Sequence, residues 1–171
     1  MNWLPWSPYL ALVIGLVLLR YALAAWLNAL DLRRDRGGVP PEFADRCTPE
    51  QYARALDYHR ASLRFDWLRQ TVMTAVTLLF ILAGGLTVID HLARATADHL
   101  IGAGLVFIGS LILLNRLLDI PFDLWETFRL EARFGFNRTT PRTFVLDELK
   151  GLLLLVLIGA PLLALLLWFF S

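Results

Sequence analysis

The sequence predicts an all-α integral membrane protein with about four transmembrane helices and helical cytoplasmic connections. Hydrophobic residues make up 57% of the 171 residues and charged residues only 18%, below the roughly 25% of soluble domains. Four apolar runs reach the length of about 20 residues that a helix needs to cross a bilayer. These runs exceed the length of a barrel strand and lack period-two alternation, so helices are favoured.

The predicted spans cover about residues 5–30, 70–89, 99–118 and 151–170. The first is interrupted only by Arg20, and the third is the shortest. The fourth contains Pro161, which is expected to kink it by removing one backbone hydrogen bond. Trp3, Trp6 and Trp168 lie near the ends of spans, as expected for interfacial aromatic belts.

Basic residues indicate the orientation of the chain in the membrane. They are concentrated in the connections after the first and third spans, whereas the connection between spans two and three has only Arg94. The positive-inside rule therefore predicts that both long connections are cytoplasmic and both termini lie outside. A cleaved signal peptide ending near residues 22–24 is the competing interpretation, but no positive charge precedes its apolar run.

Local signals predict helices inside the long connections. Thr48, followed by Pro49 and Gln51, forms a capping box that begins one long helix leading into the second span. A further helix is predicted to begin at Pro121 and to end at Gly135 and Asn137, since both residue types tolerate the left-handed conformation of a helix stop. Thr140 and Pro141 then read as the cap and first turn of the helix that leads into the fourth span.

Two polar segments carry a resemblance to a known family. The matching residues of segment 118–150 are Pro121, Phe122, Phe128, Glu131, Gly135, Phe136, Asn137, Thr140, Asp147 and Lys150, with Trp125 where the family usually has Tyr. Those of the first connection are Arg34, Val39, Pro40, Phe43, Glu50, Ala53, Ala55, Tyr58 and Phe65. In this order, they resemble the amino-terminal half of the type I CAAX prenyl proteases, integral-membrane zinc endopeptidases of peptidase family M48.

The zinc motif of such a protease is missing from this sequence. No HExxH occurs, and none of His59, His91 and His99 has a second His three or four residues away, so no helical ligand pair exists. Cys47 is the only cysteine, which excludes an internal disulfide and a thiolate zinc cluster. We therefore expect residues 1–171 to be the amino-terminal multi-helix membrane domain, with no catalytic residue and no metal ligand in this chain. Zinc is expected in the complete enzyme.

The resemblance implies that these helices form part of an intramembrane chamber and support peptide-bond hydrolysis by a missing carboxy-terminal half. Its candidate residues for the substrate path or for contact with that half are Arg20, Glu131, Gly135, Phe136 and Asn137. Arg20 either faces a water-filled interior or snorkels to an interface. Trp125 lacks the phenolic hydroxyl of the usual Tyr, so it cannot make a contact that depends on this hydroxyl.

Partners and localisation follow from the same observations. Membrane lipid, a carboxy-terminal metalloprotease domain in cis or in trans, and membrane protein or peptide substrates are expected. A net charge of +1 gives no reason to expect nucleic acid. Fifteen Arg to one Lys, with abundant Leu and Ala, indicates a GC-rich bacterial source, hence a bacterial inner membrane and turnover of membrane proteins.

Two alternatives from other classes remain. One is a stand-alone membrane scaffold or interaction protein without protease activity, although the end of the chain directly after a helix favours a fragment of a larger enzyme. An HExxH in the reading frame beyond Ser171 would support the protease, and an immediate stop would support the scaffold. The other is an oligomeric channel or transporter, which rests on Arg20 and Pro161 alone.

Overall fold

The fold is all-helical across residues 8–34 and 48–170, which a computed structural model describes. Trp3, Trp6, Cys47 and the family matches Val39, Pro40 and Phe43 lie outside the described residues. The helices are α1 (Pro8–Arg34), α2 (Pro49–Leu82), α3 (Gly85–Thr96), α4 (Leu100–Phe134) and α5 (Pro141–Phe170). Within α4 and α5, the stretches Glu126–Glu131 and Leu155–Gly159 are π-helical.

Four of these helices contain a stretch long and apolar enough to cross a membrane: α1 over Pro8–Leu32, α2, α4 and α5. The predicted fold class is thereby confirmed. The 12-residue helix α3 is shorter than the roughly 20 residues of a span.

Both predicted helix caps are present. Thr48 Oγ1 accepts a hydrogen bond from Gln51 N at 3.2 Å, while Gln51 Oε1 accepts one from Thr48 N at 3.2 Å. Thr140 Oγ1 accepts from Thr143 N at 3.2 Å, and proline occupies the first turn that follows. These caps satisfy backbone amides that have no partner inside the helix, so α2 and α5 begin where the sequence indicates.

The prediction that a new helix begins at Pro121 is wrong, because α4 continues through this residue. Proline removes one backbone donor from the helix, a loss that membrane helices tolerate where neighbouring groups compensate. Here the following turn is held by α2, since Phe122 packs 6.3 Å from Phe65 between ring centroids. The wide turn at Glu126–Glu131 comes five residues later.

The predicted second span is divided. Helix α2 ends at Leu82, and α3 begins at Gly85 after Gly84, whose φ is +78°. Glycine adopts this left-handed conformation without the steric penalty of a Cβ. The pair Gly84-Gly85 therefore interrupts the helix within an apolar run that carries no charge as far as Ile89.

The chain divides into two compact units. Unit 1 comprises Met1–Leu79 and Phe122–Asn137, and unit 2 comprises Phe80–Pro121 and Arg138–Ser171. In unit 1, the Tyr21 hydroxyl lies 3.0 Å from Thr71 Oγ1, and Asn28 Nδ2 donates to the Leu63 carbonyl at 3.0 Å. These two contacts align α1 with α2.

Unit 2 joins α4 to α5 in antiparallel order. Arg116 and Glu148 form a two-pronged ion pair, in which Arg116 Nε donates to Glu148 Oε2 at 2.7 Å and Nη2 donates to Oε1. Towards the other end, a Cβ added to Gly104 would lie 2.7 Å from Leu167 Cδ1. Glycine thus lets the two helices approach closely, as small residues do in membrane helix packing.

Candidate functional site

The polar and aromatic contacts of unit 1 are concentrated in one group of side chains, which we call the α2–α4 cluster. Its members are Tyr58, Phe65 and Arg69 of α2, and Phe122, Asp123, Glu126, Glu131, Phe134, Phe136 and Asn137 at the end of α4. The 34 residues of α2 extend about 51 Å at 1.5 Å each, against a hydrocarbon core of about 30 Å. The charged parts of both helices therefore lie outside the apolar membrane-spanning segments.

Arg69 is the centre of charge in the cluster. Its Nη1 lies 2.9 Å from Asp123 Oδ1 and 3.6 Å from Glu126 Oε2, and these three side chains are only 20–28% exposed. The guanidinium also lies 5.9 Å from the ring centroid of Phe122, within reach of a cation–π interaction. One cation thus holds two carboxylates of α4 against α2.

The positive charge of Arg69 only partly stabilises the ionised form of the Glu126 carboxyl. Burial raises the pKa of the Glu126 carboxyl above its ordinary value, and nearby Asp66 raises it further, whereas Arg69 lowers it. The carboxyl therefore takes up a proton at a higher pH in the folded protein than in an exposed peptide. The cluster holds more negative charge than its cation neutralises.

Tyr58 forms the aromatic part of the cluster. Its ring centroid lies 5.5 Å from that of Phe134, edge to face, and 4.9 Å from that of Phe136, both within the range of favourable aromatic pairs. Burial raises the pKa of the Tyr58 hydroxyl, and the charge of Glu131 adds to that rise. The hydroxyl consequently stays neutral and can donate a hydrogen bond at neutral pH.

A tight turn at the end of α4 positions Phe136. Gly135 has a φ of +78°, and the amides of Phe136 and Asn137 both donate to the Glu131 carbonyl, at 2.9 and 3.4 Å. The predicted helix stop at Gly135 is confirmed. Asn137 does not share the left-handed conformation, since only glycines have positive φ among the described residues, so that part of the prediction is wrong.

The structure brings four of the five candidate residues into this turn and leaves the fifth elsewhere. The Glu131 side chain is half-buried and has no hydrogen bond or ion pair to any described residue. Phe136 is 48% exposed, although one side of its ring contacts Tyr58. Arg20 lies exposed on α1, and the structure describes no ion pair for it.

Spacing along the sequence did not identify Arg69 or Tyr58 as members of the site. Tyr58 entered the sequence analysis only as a family match. The available signal was the mixture of acidic and aromatic residues after Pro121, which requires a basic and aromatic counterpart elsewhere in the chain.

No group of three or more His, Cys, Asp or Glu side chains suited to a metal ion occurs within the described ranges. The residues of this part therefore do not fit a zinc ion.

Comparisons with known proteins all identify the same family. A family profile described as "CAAX prenyl protease N-terminal, five membrane helices" matches residues 28–171. The chain is 30% identical over 175 residues to a probable CAAX prenyl protease 1 of Schizosaccharomyces pombe, and 27% identical over 178 residues to CAAX prenyl protease 1 of Saccharomyces cerevisiae. These matches cover 91% and 98% of this chain, and 37% and 39% of the relatives.

A solved structure shares the fold. The crystal structure of S. mikatae Ste24p superposes with a TM-score of 0.81 at 25% sequence identity, covering 95% of this chain and 39% of that one. The chain thus spans less than half the length of the proteins that it matches.

Proposed function

The chain belongs to the family of CAAX prenyl proteases, whose amino-terminal membrane domain it matches, and we propose that it is the non-catalytic membrane domain of a CAAX-protease-like zinc metalloendopeptidase. In this role it forms part of an intramembrane chamber. It supports peptide-bond hydrolysis by a carboxy-terminal half that joins it in cis or in trans. The zinc ion belongs to an HExxH segment of that half.

The observation that carries this proposal is the exposed turn at the end of α4. Glu131 has no described partner although it is half-buried, and a carboxylate removed from water without a partner costs free energy. The neighbouring ring of Phe136 is 48% exposed. An arginine or lysine of the catalytic half would pair with Glu131 while an apolar side chain packs on Phe136, which resembles the aromatic anchors of protein interfaces.

Arg20 supplies a second, weaker argument. A charge inside a membrane helix costs roughly 2.5–3.5 kcal/mol on insertion scales. No described carboxylate pairs with Arg20, so a carboxylate of the missing half or of a substrate is the proposed partner in a water-filled chamber. Snorkelling to the interface is the alternative.

The substrate and the orientation are finer proposals. The relatives are named CAAX prenyl proteases, which favours a prenylated peptide, whereas the Arg-rich composition favours turnover of bacterial membrane proteins. Both termini outside the cytoplasm and a bacterial inner membrane remain predictions from the distribution and ratio of basic residues. The relatives named above come from yeasts.

A reconstitution experiment tests the proposal. The chain is expressed alone, and together with an HExxH-bearing half from the same genome, and zinc-dependent cleavage of casein-type and prenylated peptides is measured. Cleavage is expected only when both halves are present. Absence of both cleavage and association would favour the stand-alone scaffold.

Variants locate the contact. Glu131→Gln and Phe136→Ala are each expected to weaken association of the halves about tenfold, the loss that follows from one charged hydrogen bond or one aromatic anchor. Asp31→Asn, at an exposed position of α1 without a described partner, is the matched control and is expected to leave association unchanged. Equal affinity of all three variants and the wild type would contradict this placement of the contact.

A further inference from the structure

Unit 2 contains a cavity of about 750 Å³ at the junction of α3, α4 and the last turns of α5. This volume falls within the roughly 300–1,000 Å³ of small-molecule sites. Its lining has two parts: apolar side chains that include Phe107, Ile108 and Leu167, and a polar rim that includes Arg94, Asp98 and His99.

The rim contains polar atoms without partners. Arg94 uses only Nε to contact Asp90, at 3.0 and 2.9 Å from the two carboxylate oxygens, and its terminal nitrogens make no described hydrogen bond. The side chains of Asp98 and His99 are exposed and also have no described partner. Within six residues, the rim therefore presents both a donor group for an anion and an acceptor for a cation.

The position of the cavity indicates the depth at which its polar rim and its apolar wall lie in a bilayer. Residues 97–99 precede α4, whose first sixteen residues, up to Arg116, carry no charge. Trp168 lies in the last turn of α5, near the cavity-lining Leu167, as expected for an interfacial aromatic residue. The rim accordingly lies at the level of lipid headgroups and the apolar wall at the level of acyl chains.

We propose that this cavity binds a phospholipid whose headgroup carries a phosphate and a primary ammonium. The phosphate lies against the terminal nitrogens of Arg94 and the His99 imidazole, the ammonium donates to Asp98, and an acyl chain follows Phe107, Ile108 and Leu167. A quaternary ammonium has no N–H to donate to Asp98. A headgroup with only a phosphate brings a second negative charge towards this carboxylate and gains no compensating cation.

Lipid retention by the purified full chain tests the proposal. Native mass spectrometry from detergent is performed with phosphatidylethanolamine, phosphatidylcholine and phosphatidylglycerol in turn. The ethanolamine lipid is expected to be retained about tenfold more than either of the others, the preference that one charged hydrogen bond provides. Equal retention of the three lipids would overturn the proposal.

Variants tie retention to the cavity. Asp98→Asn alters only an exposed carboxylate and is expected to abolish the preference for the ethanolamine lipid. Ala103→Trp places an indole in the cavity that Ala103 lines and is expected to reduce retention of that lipid about tenfold. Leu162→Trp, on a side chain that is 62% exposed and outside the lining, is the matched control and is expected to change nothing.

A free headgroup distinguishes lipid from soluble ligand. Phosphoethanolamine alone is expected to bind far more weakly than the lipid, because it gains nothing from the apolar wall. Binding of the free headgroup as tight as that of the lipid would overturn the assignment to lipid, as would an unaltered lipid preference in Asp98→Asn.

Discussion

Removal of the Arg69 side-chain charge should destabilise unit 1 by a measurable amount. In Arg69→Met, the carboxylates of Asp123 and Glu126 lose the cation that lies 2.9 and 3.6 Å away. Exposed ion pairs are worth roughly 0–1 kcal/mol, whereas breaking a fully buried pair costs about 3–5 kcal/mol. Because these side chains are 20–28% exposed, we expect an intermediate loss of about 2 kcal/mol.

The assay is thermal unfolding of the purified chain in detergent. For a chain of this size, about 2 kcal/mol corresponds to a decrease in Tm of about 4–8 °C. Arg64→Met is the control, since Arg64 is exposed on the same helix and has no described partner; its Tm should fall by at most about 2 °C. Equal decreases for the two variants would refute the reasoning, because the loss would then follow from net charge alone.

Three further predictions concern local features. Because burial raises the pKa of the Glu126 carboxyl above its ordinary value of 4.5, the folded protein binds this proton more tightly than the unfolded chain does. The free energy of unfolding of the wild type should therefore decrease as the pH rises from 4.5 through the raised pKa of the folded state. Glu126→Gln should lose this pH dependence of Tm. Gly135→Ala should lower the free energy of unfolding in urea by about 1 kcal/mol, because the φ of Gly135 is +78°. Gly151→Ala, in a helix with open space around this residue, should instead raise it by about 0.5–1 kcal/mol. Thr140→Ala should cost about 1 kcal/mol through loss of the helix cap, while Thr140→Ser should retain most of the stability, and equal losses would refute the cap.

Local signals in the sequence were sufficient for features that depend on a few consecutive residues. The capping box at Thr48, the helix cap at Thr140 and the helix stop at Gly135 each involve hydrogen bonds within a few residues. Such bonds follow from residue type and spacing, and the structure contains all three.

Features that depend on distant segments were not predicted. The continuation of α4 through Pro121 depends on contacts such as Phe122 with Phe65, 57 positions away by number. The pairing of Arg69 with Asp123 has the same origin. A propensity argument sees only the lost amide of a proline, whereas tertiary contacts decide whether the helix persists.

Few side chains of this chain are buried, and this determines which substitutions its sequence can accept. Ala93 is the one hydrophobic residue fully buried among those described, and many Leu and Val side chains are more than half exposed. Exchanging one aliphatic residue for another at such positions leaves few contacts to disrupt, so much of the sequence can diverge while the fold remains. A structure 25% identical with a TM-score of 0.81 fits this expectation. Exchanges among aliphatic residues should therefore have little effect at these outward positions, whereas substitutions at the caps, the left-handed glycines and the paired charges should be costly.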